Sequence, residues 1–312
     1  MPLTYSSRNT LYTLQDFLTT TGLSLAYLAL SYVMIGFKSD QVVLVMIFNV
    51  CYYASAQTRK FILGFSIFIV YWIIFDYMKA FPNYHFNDVS TLELYNLEKS
   101  FFGIKDQATL LTPNEYFKAH HNVVIDVVSG FFYLMWIPVP LAFAAFLFFK
   151  NRTEFLYFSL SFVLVNLIGF VIYYLYPAAP PWYLQQHGFE FIANTPGNTG
   201  GLARFDAYFD MPVFASIYSK SSNVFAAMPS LHSSYPVIVV YYGIRNRLGL
   251  FNVFFAVVML GIWFTAIYTS HHYLLDVIAG IFCAVLSIYL FNYLVAHTGL
   301  RRLLDKYAKA IT

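Results

Sequence analysis

Charge is scarce in this chain. Only 11% of its 312 residues are Asp, Glu, Lys or Arg, against about 25% in an ordinary soluble domain. The deficit runs along nearly the whole length, which argues against a soluble globular enzyme and for a polytopic membrane protein. Cysteine is nearly missing. Cys51 and Cys283 both fall in apolar segments, so no disulfide framework is expected and both read as buried free thiols. A net charge of +3 is too small to point to nucleic acid. The stretch Met1 to Thr20 is polar with an early Arg8, so no cleavable signal peptide is expected. Clusters of Cys, Asp and Glu at ligand spacing are missing as well. The neighbouring pairs His120–His121 and His271–His272 point about 100° apart on a helix, which makes poor chelates. No metal is expected.

What is present is apolar. Hydrophobic residues make up 59% of the chain. They gather near 17–37, 41–57, 61–81, 122–149, 154–176, 230–244, 250–269 and 273–297, each close to the length that crosses a bilayer. The predicted fold is an all-α integral membrane bundle. It divides into an N-terminal hairpin over 1–60, a six-helix catalytic core over 61–297 and a basic tail over 298–312. The first two segments are short, joined by Lys38-Ser39-Asp40, and read as a tight hairpin or as one partly re-entrant piece.

Basic residues orient the bundle. Eight spans collect Arg8, Arg59, Lys60, Lys150, Arg152, Arg245, Arg247, Arg301, Arg302, Lys306 and Lys309 on one face. That face is expected to be cytoplasmic, with both termini on it. Two long loops then lie on the other side. Pro82 to His121 holds Leu92 to Phe102, which reads as an interfacial helix. Pro177 to Met228 is rich in Pro, Gly and Asn. The run from Leu300 to Lys309 reads as a basic amphipathic helix.

Chemistry gathers between Phe225 and Gly280. Pro229-Ser230-Leu231-His232 opens one apolar helix, and His272-Tyr273-Leu274-Leu275-Asp276 opens another. His272 and Asp276 are four residues apart, so they share one side of a helix turn. A histidine held by a carboxylate, facing a second histidine, suits nucleophilic attack with proton transfer. Free N–H groups at the helix start, with the Ser230 hydroxyl, suit an anion, and phosphate is the natural one.

These two signatures resemble those of the type 2 phosphatidic acid phosphatase superfamily. The resemblance implies His272 as the nucleophile, Asp276 as the residue that orients it and His232 as the proton donor. The superfamily's arginine six residues before the nucleophile is replaced here, where Thr265 and Ala266 stand. Its first signature, a lysine followed by Arg-Pro, is absent. Fewer cations lean towards a singly charged phosphodiester. A narrower resemblance lies in Tyr176-Pro177-Ala178-Ala179-Pro180-Pro181-Trp182-Tyr183, in the run Thr195 to Asp206, in Phe225 to Ser233 and in Thr269 to Asp276. In that order they are similar to the inositol phosphorylceramide synthase family, over roughly Asp76 to Leu290.

The resemblance implies transfer of an inositol phosphate head group from phosphatidylinositol to a ceramide-like lipid through a phosphohistidine, with diacylglycerol released and no cofactor. The partners implied are these two lipids and the surrounding membrane, without nucleic acid. An accessory subunit, as in fungi, stays open. The site would face the periplasm in a bacterium or the Golgi lumen in a fungus.

Around the three central residues, several side chains carry two readings. Arg204, beside Gly200 and Gly201, is the best remaining phosphate cation, or else a loop tie to Asp206 or Asp210. Lys79 with Asp76 is a remnant of the first signature or an interfacial lysine. Trp182 and Tyr183 wall a head-group pocket or belong to an aromatic belt. His271 is a phosphate ligand or a structural neighbour. The alternative activity is hydrolysis of a lipid phosphate, with water in place of the acceptor. A non-catalytic channel or carrier is the reading from a different class.

Overall fold

The computed structural model describes residues 12–220 and 223–312. Arg8, counted above for orientation, lies outside the described residues. By internal contacts the chain forms two compact units. One comprises residues up to Ala80 together with Tyr307–Thr312, and the other is Phe81–Lys306.

In the first unit, α1 (Leu14–Ile35), α2 (Ser39–Ala54) and α3 (Ala56–Tyr77) follow one another with almost no linker. Thr13 and Ser55 cap α1 and α3 through their side-chain oxygens. The α3 segment, read from sequence as the start of the catalytic core, is grouped here with the first two helices. The reason is local: only Ser55 separates α2 from α3, and the two helices pack along each other.

The second unit holds the elements from α4 to α14 and the start of α15. The first long loop folds into α4 (Leu92–Phe102), a β-hairpin (β1 Ile104–Asp106, β2 Thr109–Leu111) and α5 (Pro113–Ala119). A helix is therefore present over the residues expected to form an interfacial one. Next come α6 (Val123–Leu134), α7 (Pro138–Lys150) and α8 (Arg152–Leu175). The apolar segment expected near 122–149 is broken at Met135–Ile137. Pro138 explains the break, since it has no N–H to continue the helical hydrogen-bond ladder and instead opens the next helix. The second long loop is far from irregular: it carries α9 (Pro181–His187), α10 (Ala203–Phe209) and α11 (Val213–Tyr218). The unit closes with α12 (Leu231–Arg245), α13 (Phe251–Tyr268) and α14 (Leu274–His297). A last helix, α15 (Leu300–Ala310), covers the basic tail.

Every apolar segment is helical, the one near 122–149 as two helices, and the protein is a multi-pass membrane protein. Among the described residues, six stretches are long and apolar enough to cross a bilayer, by length and composition: Leu14–Ile35, Ala56–Ala80, Val123–Lys150, Arg152–Leu175, Phe251–Tyr268 and Leu274–His297. Two of the eight expected spans fall short, α2 with 16 residues and α12 with 15. At about 1.5 Å per residue, α12 is near 22 Å long, against a hydrocarbon core of about 30 Å. It lies among α7, α8, α13 and α14, and buries Ser233, Ser234, Tyr235, Ile238, Val239 and Tyr242. Protein rather than lipid surrounds it, which lets its first turn be polar.

The two long loops are sewn together by backbone. Ser90 N–H donates to Pro177 O at 2.8 Å, Ala179 N–H to Ser90 O at 3.0 Å, and Ala178 N–H to Phe225 O at 2.9 Å. This seam fixes the residues just before α12 against the start of α9.

Candidate active site

The turn between α13 and α14 is built to hold two histidines still. α13 ends in a left-handed residue, Ser270, at φ 60°. Ser270 N–H donates to Ile267 O at 3.0 Å and His271 N–H to Ala266 O at 3.0 Å, the bond pair of a Schellman ending with serine where glycine is usual. His272 N–H shares the Ala266 oxygen at 2.9 Å. The Asn114 amide donates to Ile267 O at 2.8 Å and to His272 O at 2.9 Å, clamping both ends of the turn.

α14 then starts under two carboxylates. Asp276 accepts Tyr273 N–H at 2.8 Å. Glu98 on α4, fully buried, accepts Leu274 N–H at 2.9 Å and Leu275 N–H at 3.1 Å. Unpaired N–H groups and the helix dipole both favour anions there. Burial still pushes the Glu98 carboxyl up to about 7, with the two N–H groups opposing and Asp276 adding to the rise.

α12 is registered against α14 by small residues. Ser230 N–H, expected to be free for an anion, instead donates to Asp276 O at 2.9 Å. The Ser230 side chain is fully buried and its Oγ accepts from Ser233 Oγ at 3.0 Å. Ser234 Oγ donates to Gly280 O at 2.7 Å. A Cβ on Gly280 would stand 2.2 Å from Ser230 O, so only glycine allows this approach. His232 follows two residues after Ser230 and is thereby carried opposite His272.

Its Nδ1 lies 3.3 Å from His272 Nε2. On the other side of that ring, His272 Nδ1 lies 3.5 Å from Asp276 Oδ2. Tyr133 OH is 3.4 Å from His232 Nδ1, and the Trp136 ring stands edge-on to His232 with centroids 4.3 Å apart. The structure thus brings together the three residues read from sequence as central, 44 positions from first to last. Burial pushes His272 down to about 4, so its imidazole is neutral around pH 7. Burial, then His272 and His232, push His271 well below its usual value, against the backbone groups of Thr269 and Asn198 that favour its charged form.

A cavity of about 100 Å³ opens beside the histidines, lined among others by Trp182, Asn198, Asn223, His232, His271 and His272. Trp182 reaches it from α9, whose Trp182 N–H donates to Ser270 O at 2.9 Å. Tyr183 does not line the cavity. It is fully buried, its OH donates to Glu190 O at 2.7 Å and accepts from Ile192 N–H at 2.8 Å, so it braces the loop. Its position follows from α9, where adjacent residues point about 100° apart.

Gly200 and Gly201 bring the second long loop onto the histidine turn. Gly201 N–H donates to Thr269 O at 2.8 Å. A Cβ on Gly200, at φ 50°, would lie 2.6 Å from Thr269 O, and one on Gly201 2.9 Å from Thr269 Cα. Arg204 takes neither of the loop ties considered from sequence. Its Nε donates to Asp126 Oδ1 at 2.6 Å, while Tyr268 OH donates to the same oxygen at 2.8 Å. Arg204 Nη2 is buried without a hydrogen-bond partner among the described residues. Asp206 instead caps α11 through Phe214 N–H and Ala215 N–H. Lys79 and Asp76 pair with each other at 2.7 Å within the first unit.

Sequence reading missed Glu98, Asn114, Asp126, Tyr133 and Asn223. One signal was available for Glu98: it lies four residues after Leu94 on a helix whose buried face is otherwise apolar. For Asn114, the Thr112-Pro113-Asn114-Glu115 helix start is legible, but its partners 153 and 158 residues away are not.

A family model described as the PAP2 superfamily matches residues 93–290. The chain is 46% identical over 288 residues to a phosphoinositol dihydroceramide synthase of Bacteroides thetaiotaomicron, covering 91% of this chain and 94% of that one. It is 33% identical over 183 residues to an inositol phosphorylceramide synthase of Candida albicans, covering 55% of this chain and 38% of the other. Over 131 residues it is 36% identical to an inositol phosphorylceramide synthase catalytic subunit of Saccharomyces cerevisiae, 41% of this chain and 31% of that one. No solved structure matches the chain.

Proposed function

Because the chain belongs to the PAP2 superfamily, we propose that it is a membrane phosphotransferase that moves inositol phosphate from phosphatidylinositol to a dihydroceramide or similar ceramide-like lipid. The observation that carries this reading is the row Asp276–His272–His232 at the edge of one cavity, with the His272 Nε2 directed at His232 and its Nδ1 at Asp276. The relatives, phosphoinositol dihydroceramide and inositol phosphorylceramide synthases, supply the substrate class.

The neutral His272 keeps its proton on Nδ1, towards Asp276, and its lone pair on Nε2. With Nε2 and His232 Nδ1 3.3 Å apart, a phosphodiester enters from the cavity and separates the two rings. Its negative charge favours the protonated form of His232. Nε2 attacks phosphorus, the bond to the diacylglycerol oxygen breaks, and His232 gives that oxygen its proton. Asp276 stabilises the positive charge formed on the phosphorylated ring. Diacylglycerol leaves, and the ceramide-like hydroxyl enters. His232 takes its proton while the oxygen displaces His272 from phosphorus. Arg204, through its unpaired Nη2, is the cation proposed for a phosphate oxygen.

The basic-residue pattern supports both termini on the cytoplasmic side and this cavity on the opposite face.

The test uses purified protein in lipid micelles with phosphatidylinositol and a fluorescent ceramide, and phosphatidic acid in parallel. A fluorescent lipid carrying inositol phosphate, with diacylglycerol released, is the expected result. Free phosphate from phosphatidic acid without that lipid would replace the reading with a lipid phosphatase.

A further inference from the structure

Asn223 and His271 are among the cavity-wall residues that have no part in the scheme above. Three of their polar atoms are buried and lack a hydrogen-bond partner among the described residues: Nδ2 and Oδ1 of Asn223, and Nε2 of His271. A buried polar group left unpaired is destabilising. Both residues line the same cavity, which marks it as a place suited to a polar ligand.

The tautomer of His271 follows from its neighbours. Thr269 Oγ1 has a single hydrogen and donates it to Thr265 O at 2.7 Å. Its contact with His271 Nδ1, 3.0 Å long, therefore has Nδ1–H as the donor. A buried neutral ring with its proton on Nδ1 leaves a lone pair on Nε2. That lone pair repels an anionic phosphate oxygen and accepts a hydroxyl proton. The Asn223 amide adds a donor and an acceptor. Together the three atoms match adjacent alcohol groups, each of which both donates and accepts. They do not match the charged centre of the diester, which falls to the positions next to His272.

We propose that Asn223 and His271 form a polyol subsite, holding ring hydroxyls of the donor's head group while His272 takes the phosphorus. This rests on the transferase reading and adds the source of its donor selectivity. A site built to hydrogen-bond a substrate hydroxyl rejects an analogue that lacks it far more strongly than an apolar pocket rejects a change of size.

The experiment compares kcat/KM for transfer from phosphatidylinositol with that from phosphatidylmethanol, which carries the same diester charge and no head-group hydroxyl. The wild-type protein is expected to favour phosphatidylinositol. Asn223→Leu is expected to cut that preference about tenfold or more, mainly through the KM of phosphatidylinositol. His271→Phe, which keeps a ring in place, is expected to cut it as well. If Asn223→Leu does not fold, the ratio is read on Asn223→Ala, which adds no bulk. A donor ratio unchanged in these variants, even with total activity reduced, overturns the subsite and leaves both residues structural. Equal use of the two donors by the wild type overturns the subsite alone. Transfer from neither donor removes the transferase reading and the subsite with it.

Discussion

Glu98 and Leu274 stand 176 residues apart in sequence and are joined by a hydrogen bond of 2.9 Å, from the first N–H of α14 to a fully buried carboxylate. A second bond, from Leu275 N–H, uses the other oxygen. The helix that carries Asp276 is thus held at its start by a side chain from the first long loop.

That arrangement gives stability a pH dependence of known sign. The Glu98 carboxyl titrates near 4.5 when unfolded and is pushed up to about 7 when folded. Between those values the folded state holds more protons, so stability falls as pH rises through the window and levels off above about 7. The thermal unfolding midpoint in detergent should fall from pH 5 to pH 8, by the equivalent of roughly 1–3 kcal/mol. Glu98→Gln should flatten that fall. Parallel curves for the two proteins would contradict it.

The covalent step can be trapped. With phosphatidylinositol labelled at phosphorus and no acceptor lipid, label should remain on the wild-type chain after denaturation, in an acid-labile form. His272→Ala should carry none. Transfer should drop on the order of a thousandfold in His272→Ala, Asp276→Ala and His232→Ala. Full transfer in His272→Ala would remove the phosphohistidine.

Gly200 and Gly188 separate two effects of adding a methyl group. Both have positive φ, but a Cβ on Gly188 meets nothing within 4 Å, whereas one on Gly200 meets Thr269 O at 2.6 Å. Gly188→Ala should cost stability alone, about 1 kcal/mol. Gly200→Ala should also lower transfer about tenfold or more, because the histidine turn must move. Equal transfer rates in the two variants would show that the close approach is unimportant.

Arg204 and Asp126 should behave as one unit. Arg204→Ala is expected to weaken transfer strongly, and Asp126→Asn to weaken it less. If the pair acts through its 2.6 Å contact, the double variant should lose less than the product of the single losses. Strictly multiplicative losses would assign Arg204 a role independent of Asp126.

Orientation is tested by labelling cysteines placed at Pro196 and Arg245, in a chain whose Cys51 and Cys283 are replaced. A reagent that does not cross the membrane should reach position 196 from outside and leave 245 unlabelled. The reverse pattern would invert the topology.

The sequence by itself determined the class of fold and which three side chains meet at the centre of the candidate site. Low charge and eight apolar segments are properties of composition and length. His272 and Asp276 belong together because four residues make one helical turn. Ser230 and His232 are legible because a proline and a serine mark a helix start. The tertiary structure decided what depends on distant approach. Glu98 meets α14, Asp126 takes Arg204, and Asn114 clamps the histidine turn, across 176, 78 and more than 150 residues. Ser230 gives its N–H to a neighbouring helix, and Tyr183 turns into the loop instead of the cavity. Each of these hydrogen bonds joins groups that local periodicity does not relate. A short α12 could also not be told from a full span, since its first turn is kept from lipid by helices that lie elsewhere in the chain.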